Sequence, residues 1–161
     1  MTYKPYAGIG SRDTPDDVLH LMRRIGARLA DLGWTLRSGG AKGADQAFEN
    51  GAQSATGLRE IFIPWQGFEG RTTSDPGVLC EITDEHFAIA RSHHPAWARL
   101  GSGAKKLMAR NVSQMLGEQL DSPSFMVVCW TPGARITGGT GQSIRMAHTL
   151  GIDVINLADP N

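Results

Sequence analysis

Three stretches of the chain combine residue types that hold anions. "GIGSRDTP" carries Gly10, Ser11 and Arg12, "RSGGAKGADQAFENGA" carries Ser38, Gly39, Gly40, Lys42, Gly43 and Asp45, and "ARITGGTGQSIR" carries Gly138, Gly139, Thr140, Gly141, Gln142 and Arg145. Each follows a short apolar run and opens a helix-like pattern. A turn from strand to helix leaves backbone N–H groups unpaired at the positive end of the helix dipole, where phosphate or carboxylate is favoured. Glycine lets such a turn bend and approach a ligand, and Arg12, Lys42, Arg145 and the Arg110 of "KLMARN" add positive charge. Neither the G-x-x-x-x-G-K-[ST] spacing nor G-x-G-x-x-G is present, so one turn alone reads equally well as tight-turn chemistry. The recurrence of the pattern in three turns points to a phosphate site.

Other side chains extend the candidate chemistry. Trp65 and Trp130 each follow an apolar run and are candidates for stacking a base, with packing as the alternative; Trp97 falls in an irregular joint. Asp45 and Glu49, four apart, share a helix face that reads as solvated. His86, His93 and His94 match no metal-ligand spacing and read as surface or loop-anchoring residues, and Cys80 and Cys129 as free thiols in a reducing compartment. No metal and no cofactor is expected.

The elements that must position these residues follow from the hydrophobic pattern. "YAGIG", "WTLRS", "REIFIP", "SFMVVCW" and "DVINL" read as five strands alternating with helical segments, the signature of an α/β domain with a largely parallel sheet. Val18, Met22, Ile25, Leu29 and Leu32 form the stripe of a first helix, with Thr14 as N-cap and Gly33 as stop. A second helix spans about 43–55, its small residues Ala44, Ala47 and Gly51 permitting close approach to strands. A third spans 103–120, with a face that could meet the core or a partner, and Ile144, Ala147 and Leu150 mark the last. Residues 64–83 read as a long surface loop, and "HHPAWARLGSG" as a joint between helices.

Composition narrows the class of partner. Sixteen basic against sixteen acidic residues give zero net charge and a pI near 7.0, which disfavours a polyanion partner because duplex binders depend on basic excess. The 161 residues suit one domain, and no run approaches membrane-spanning length or a signal peptide core, so a cytoplasmic protein without a membrane partner is expected.

The glycine turns also carry a family resemblance. Ser38, Gly39, Ala41, Gly43 and Asp45 fit the S-G-x-A-x-G-I-D pattern of the DNA-processing protein A (DprA) core, with Ala44 at the isoleucine position. With "GSR", "HPAW", "KLMARN", "VVCWTP" and "GGTGQ", the whole chain resembles the superfamily joining that core to the LONELY GUY (LOG) phosphoribohydrolases. Within it, the chain is most similar to short DprA-like proteins often encoded by phages and regarded by analogy as DNA recombination mediators. The resemblance implies one Rossmann-like domain over residues 1–161 and, from the LOG side, a homo-oligomer. The LOG family's M-H-x-R-K motif keeps its arginine here as Arg110, but Asn111 replaces the lysine. In its P-G-G-x-G-T-x-x-E motif Thr137 replaces the proline, Gln142 the threonine and Arg145 the glutamate. Arginine cannot act as a carboxylate base. Hydrolysis would therefore require Asp45, Glu49 or Glu81 in its place. The expectation is a protein that binds a phosphorylated nucleotide or nucleotide-derived signal; the alternatives are a single-stranded DNA-binding recombination mediator and a nucleotide N-glycosidase.

Overall fold

The computed structural model describes residues 2–160. Six strands, β1 (Pro5–Gly8), β2 (Thr35–Ser38), β3 (Arg59–Phe62), β4 (Val78–Leu79), β5 (Met126–Cys129) and β6 (Asp153–Asn156), form one sheet in the order β4-β3-β2-β1-β5-β6. Every pairing is parallel. Parallel strands need crossovers, supplied by α1 (Asp16–Asp31), α2 (Ala44–Ser54), α3 (Asp84–Ser92), α4 (Ser102–Leu116) and α5 (Gly138–Leu150), except between β3 and β4, where the connection holds only the short 3-10 turn Phe68–Gly70. The chain builds outward from β1 to β4, then returns to the other side of β1 as β5. The gap above β1 and β5 is thus the switch point where open parallel sheets hold ligands.

Because side chains alternate across a strand, the sheet divides two cores. Tyr6, Leu36, Ile61 and Val128 join Met22 and Phe48 on the face of α1 and α2, while Ala7, Ile9, Val127 and Cys129 join Val112, Met115, Ile144 and Met146 on the face of α4 and α5. The central strands β1 and β2 are buried on both faces, which is why they read as short apolar runs, whereas the edge strand β6 alternates exposed and half-buried residues.

Several local expectations change in three dimensions. β4 lies inside the stretch read as a surface loop; two residues show no period, and Gly77, at φ 76°, turns the chain into it. Thr14 does not cap α1: its hydroxyl donates to the Ser11 carbonyl and Pro15 is the N-cap. Leu32 follows the last turn of α1 and is 50% exposed, outside the apolar stripe. Gly51 serves helix packing rather than a strand, since a Cβ there would lie 2.0 Å from the Arg23 carbonyl oxygen of α1. α4 ends at Leu116, and Leu120 lies beyond it with φ 60°. From Ala109 to Leu116 every residue of α4 is buried within the chain itself, so this half of the helix is covered by the fold and offers no partner face. His86 is also buried: its Nε2 meets the Ser113 hydroxyl at 2.9 Å and its Nδ1 accepts from the Thr83 N–H, tying the start of α3 to α4. Burial lowers its pKa.

Candidate functional site

A cleft of about 480 Å³ opens at the carboxyl edge of the sheet, above the switch point. Its walls are the β1–α1 turn, the start of α2, one face of α4 and the start of α5. α4 contributes Leu107, Met108, Arg110, Asn111 and Gln114, whose spacing of three and four sets them on one helix face.

The three glycine turns arrive here with different electrostatics. At α1 the turn is internally satisfied: Ser11 N–H donates to the Trp130 carbonyl, Asp13 N–H to the Ser11 hydroxyl and Thr14 N–H to the Ser11 carbonyl. Asp16 and Asp17 then occupy the first turn. At α2 the chain's own carboxylate fills the anion position, because Asp45 sits in the first turn and accepts from the Ala41 N–H at 3.3 Å. None of the three helices has a side-chain cap, and α5 alone of them has no acidic residue in its first turn. Its first residues, Gly138, Gly139 and Thr140, line the cleft, and the N–H groups that begin a helix have no partner within it. This end of the cleft can therefore take an anion.

Two buried ionisable side chains, Arg110 and Asp45, also line the cleft, each held by other partners. Arg110 donates from Nη1 to the carbonyls of Gly39 and Phe62 and from Nε to Asn111 Oδ1, and its guanidinium lies 5.4 Å from the Phe68 ring centroid. Burial lowers its pKa to about 10, which leaves it charged at neutral pH. Asp45 is also buried, and burial pushes its carboxyl up to about 6 despite the lowering influence of Arg110 and the Ala41 N–H; Glu49 adds to the rise.

Of the sequence candidates, Gly10, Ser11, Arg12, Asp45, Arg110, Gly138, Gly139 and Thr140 line this cleft. The others do not. Ser38 is buried with its hydroxyl on the Gly8 carbonyl, and the carbonyl of Gly40 accepts from Gln46. Gly39 is a packing position, since a Cβ would lie 2.5 Å from Gln114 Nε2. Gly43, at φ 90°, shapes the turn into α2, while Lys42 is exposed outside the cleft. Gly141 packs on the Ile136 backbone, and Gln142 is fully buried between Asn111 and the Ala90 carbonyl. Arg145 turns away: its Nε donates to the His93 carbonyl at 2.9 Å, and it lines a separate hollow with His93, His94 and His148. Trp65 packs edge-on against Phe68, and half-buried Trp130 joins the α1–α2 core, so the apolar lining comes instead from Ile9, Leu107, Met108 and Pro132.

The carboxylates separate as well. Glu49 is not solvated but 3% exposed, with Arg71 donating to both its oxygens at 2.7 and 2.6 Å; Glu81 is exposed and outside the cleft. Sequence reasoning did not single out Asp13, Gln114, Thr131 or Ser143, which also line it. The three- and four-residue spacing around Arg110 is the signal that would have found Gln114. Among the described residues, no group of three or more His, Cys, Asp or Glu is placed to hold a metal ion.

DNA processing protein A from Helicobacter pylori, described for its single-stranded DNA binding mode, superposes with a TM-score of 0.66 at 19% identity, over 96% of this chain and 65% of that one. The chain shares its fold with DNA processing protein A. The molybdenum cofactor (Moco) carrier protein of Chlamydomonas reinhardtii superposes with a TM-score of 0.61 at 19% identity, over 98% of this chain and 77% of that one. The Rossmann-like α/β architecture implied by the DprA-like motifs is therefore the one found, and the chain spans just under two thirds of the Helicobacter protein's length. No protein-family model and no curated protein matches the sequence.

Proposed function

We propose that the protein binds a small phosphorylated nucleotide or nucleotide-derived molecule in this cleft. Phosphate rests on the N–H groups of Gly138, Gly139 and Thr140, with Arg12 at the rim, and the remainder of the ligand lies along α4 toward Asp45. The observation that carries the reading is the contrast among the three helix starts: Asp45 folds back onto the turn before α2, Asp16 and Asp17 place negative charge in the first turn of α1, and the start of α5, which has no acid in its first turn, opens into a cleft of about 480 Å³, a size suited to a small organic ligand. Relatives in fold are named for carrying a cofactor and for binding single-stranded DNA. Zero net charge favours the small ligand here.

A second reading rests on Asp45. It is the one carboxylate of the three sequence candidates that lines the cleft, and burial holds it near 6, where it can accept or donate a proton close to neutral pH. Such a group suits hydrolysis of an N-glycosidic bond, in which water adds to the sugar carbon and the base leaves with a proton.

Thermal-shift and calorimetric titration with nucleoside monophosphates and with a short single-stranded DNA, at low and physiological salt, tests the choice. Stabilisation by a nucleotide that grows with its concentration and is recovered intact supports binding. Recovery of free base moves the protein to the hydrolases. Stabilisation by DNA alone, fading as salt rises, overturns the small-ligand reading.

A further inference from the structure

The cleft continues below its rim to two polar side chains that the fold leaves unpaired. Gln114 is 2% exposed and Ser143 1%, and both line the cleft. Neither the Gln114 carboxamide nor the Ser143 hydroxyl has a hydrogen-bond partner among the described residues. The neighbouring amides show how unusual this is: Asn111 takes Arg110 Nε on its oxygen and donates to Gln142, which donates in turn to the Ala90 carbonyl. Among the described residues the one fully enclosed side-chain polar atom without a partner is Tyr6 Oη, so the unpaired polar atoms of Gln114 and Ser143 face the open cleft, where a ligand or water can meet them.

The placement of the pair sets a direction. Crossover helices run opposite to the parallel strands, so later residues of α4 and α5 lie deeper. Gln114 is four residues after Arg110 and Ser143 four after Gly139, each about 6 Å farther down. Gly39 makes room for the amide, since a side chain there would collide with Gln114 Nε2. A carboxamide offers one donor face beside one acceptor face, the complement of an edge on which a ring N–H or amino group adjoins a carbonyl or ring nitrogen.

Resting on the cleft reading above, we propose that Gln114, assisted by Ser143, reads the heterocycle of the ligand. The ligand enters base-first, pairs its donor–acceptor edge with the carboxamide and leaves its phosphate at the start of α5. Gln114 is thereby the specificity-determining residue of the site.

Calorimetry with AMP, GMP, CMP, UMP and ribose 5-phosphate tests this on the wild type and on Gln114→Met, Gln114→Glu and Ser143→Ala. At least one nucleotide is expected to bind about ten-fold or more tightly than ribose 5-phosphate, in line with two hydrogen bonds. Gln114→Met brings that nucleotide to the ribose 5-phosphate level and leaves ribose 5-phosphate itself unchanged; Ser143→Ala causes a smaller loss. Gln114→Glu, an acceptor only when ionised, shifts preference toward GMP, whose edge presents two donors. Should a variant misfold, the side-chain amide resonance of Gln114 in the wild type decides: it moves on adding the nucleotide and stays put with ribose 5-phosphate. Equal binding of nucleotides and ribose 5-phosphate, or undiminished nucleotide binding by a folded Gln114→Met, overturns the role of Gln114 while leaving the cleft reading intact. Absence of binding by all five probes overturns both.

Discussion

Asp45 carries the most testable residue-level consequence of the fold. Its carboxyl is raised by burial from 3.8 to about 6, so ionising it is penalised in the folded state. A group raised on folding contributes its stability below the unfolded pKa and loses it as pH rises through the folded one. The wild type is therefore expected to lose stability relative to Asp45→Asn between about pH 4 and pH 7, by on the order of 2–3 kcal/mol. Asn keeps an acceptor for the Ala41 N–H, so the comparison isolates the charge. Chemical denaturation of both proteins at pH 4 and pH 7 measures the gap; a gap that does not change with pH removes the buried-carboxylate account.

At the scale of the element, the start of α5 and the contact of α1 with α2 each yield a prediction. Thr140→Asp places an acid in the first turn of α5, where the helix dipole favours it, by about 0.5 kcal/mol. The same carboxylate occupies the anion end of the cleft. The variant should therefore unfold at the same or higher temperature than the wild type while binding phosphorylated ligands at least about ten-fold more weakly. Parallel loss of stability and binding would mean that the helix start is structural only. Gly51 permits α2 to lie against the α1 backbone, and Gly26 does the same in reverse, its Cβ position lying 2.5 Å from the Phe48 carbonyl oxygen. Gly51→Ala must push the helices apart and is expected to cost about 3 kcal/mol, read as a lower denaturation midpoint with a preserved slope.

Over the whole molecule, zero net charge conceals an uneven arrangement. Ions are spent inside the fold: Arg37 is 1% exposed and donates to Glu60, Ser122 and Ser124, tying β2 to the loop before β5. Glu49 anchors the 64–77 segment to α2 through Arg71, while Phe68 of that segment supports Arg110 behind the cleft. Glu49→Gln keeps the shape but leaves Arg71 without its counter-charge. Because Arg71 is partly solvated, a loss of about 2 kcal/mol is expected rather than the full cost of a buried orphan charge. Ligand binding by the folded variant should persist, since neither residue lines the cleft. A variant that folds with wild-type stability would show that the segment is held by its apolar contacts alone.

The sequence by itself determined the alternation of strands and helices, the parallel sheet and the glycine turns at its carboxyl edge. Apolar runs and three- and four-residue spacings report local backbone geometry, which neighbours along the chain dictate. It missed β4, whose two residues are too few to show a period. The tertiary structure alone decided which turn stays open to an anion, because that depends on whether an acid such as Asp45 folds back onto its own turn. It also sent Arg145 to the His93 carbonyl and away from the cleft, and it enclosed Glu49 with Arg71 where i+4 spacing had suggested a solvated face. Each of these outcomes pairs groups distant along the chain or settles which polar group goes without a partner. Local spacing has no access to either; only packing brings the partners within hydrogen-bonding distance.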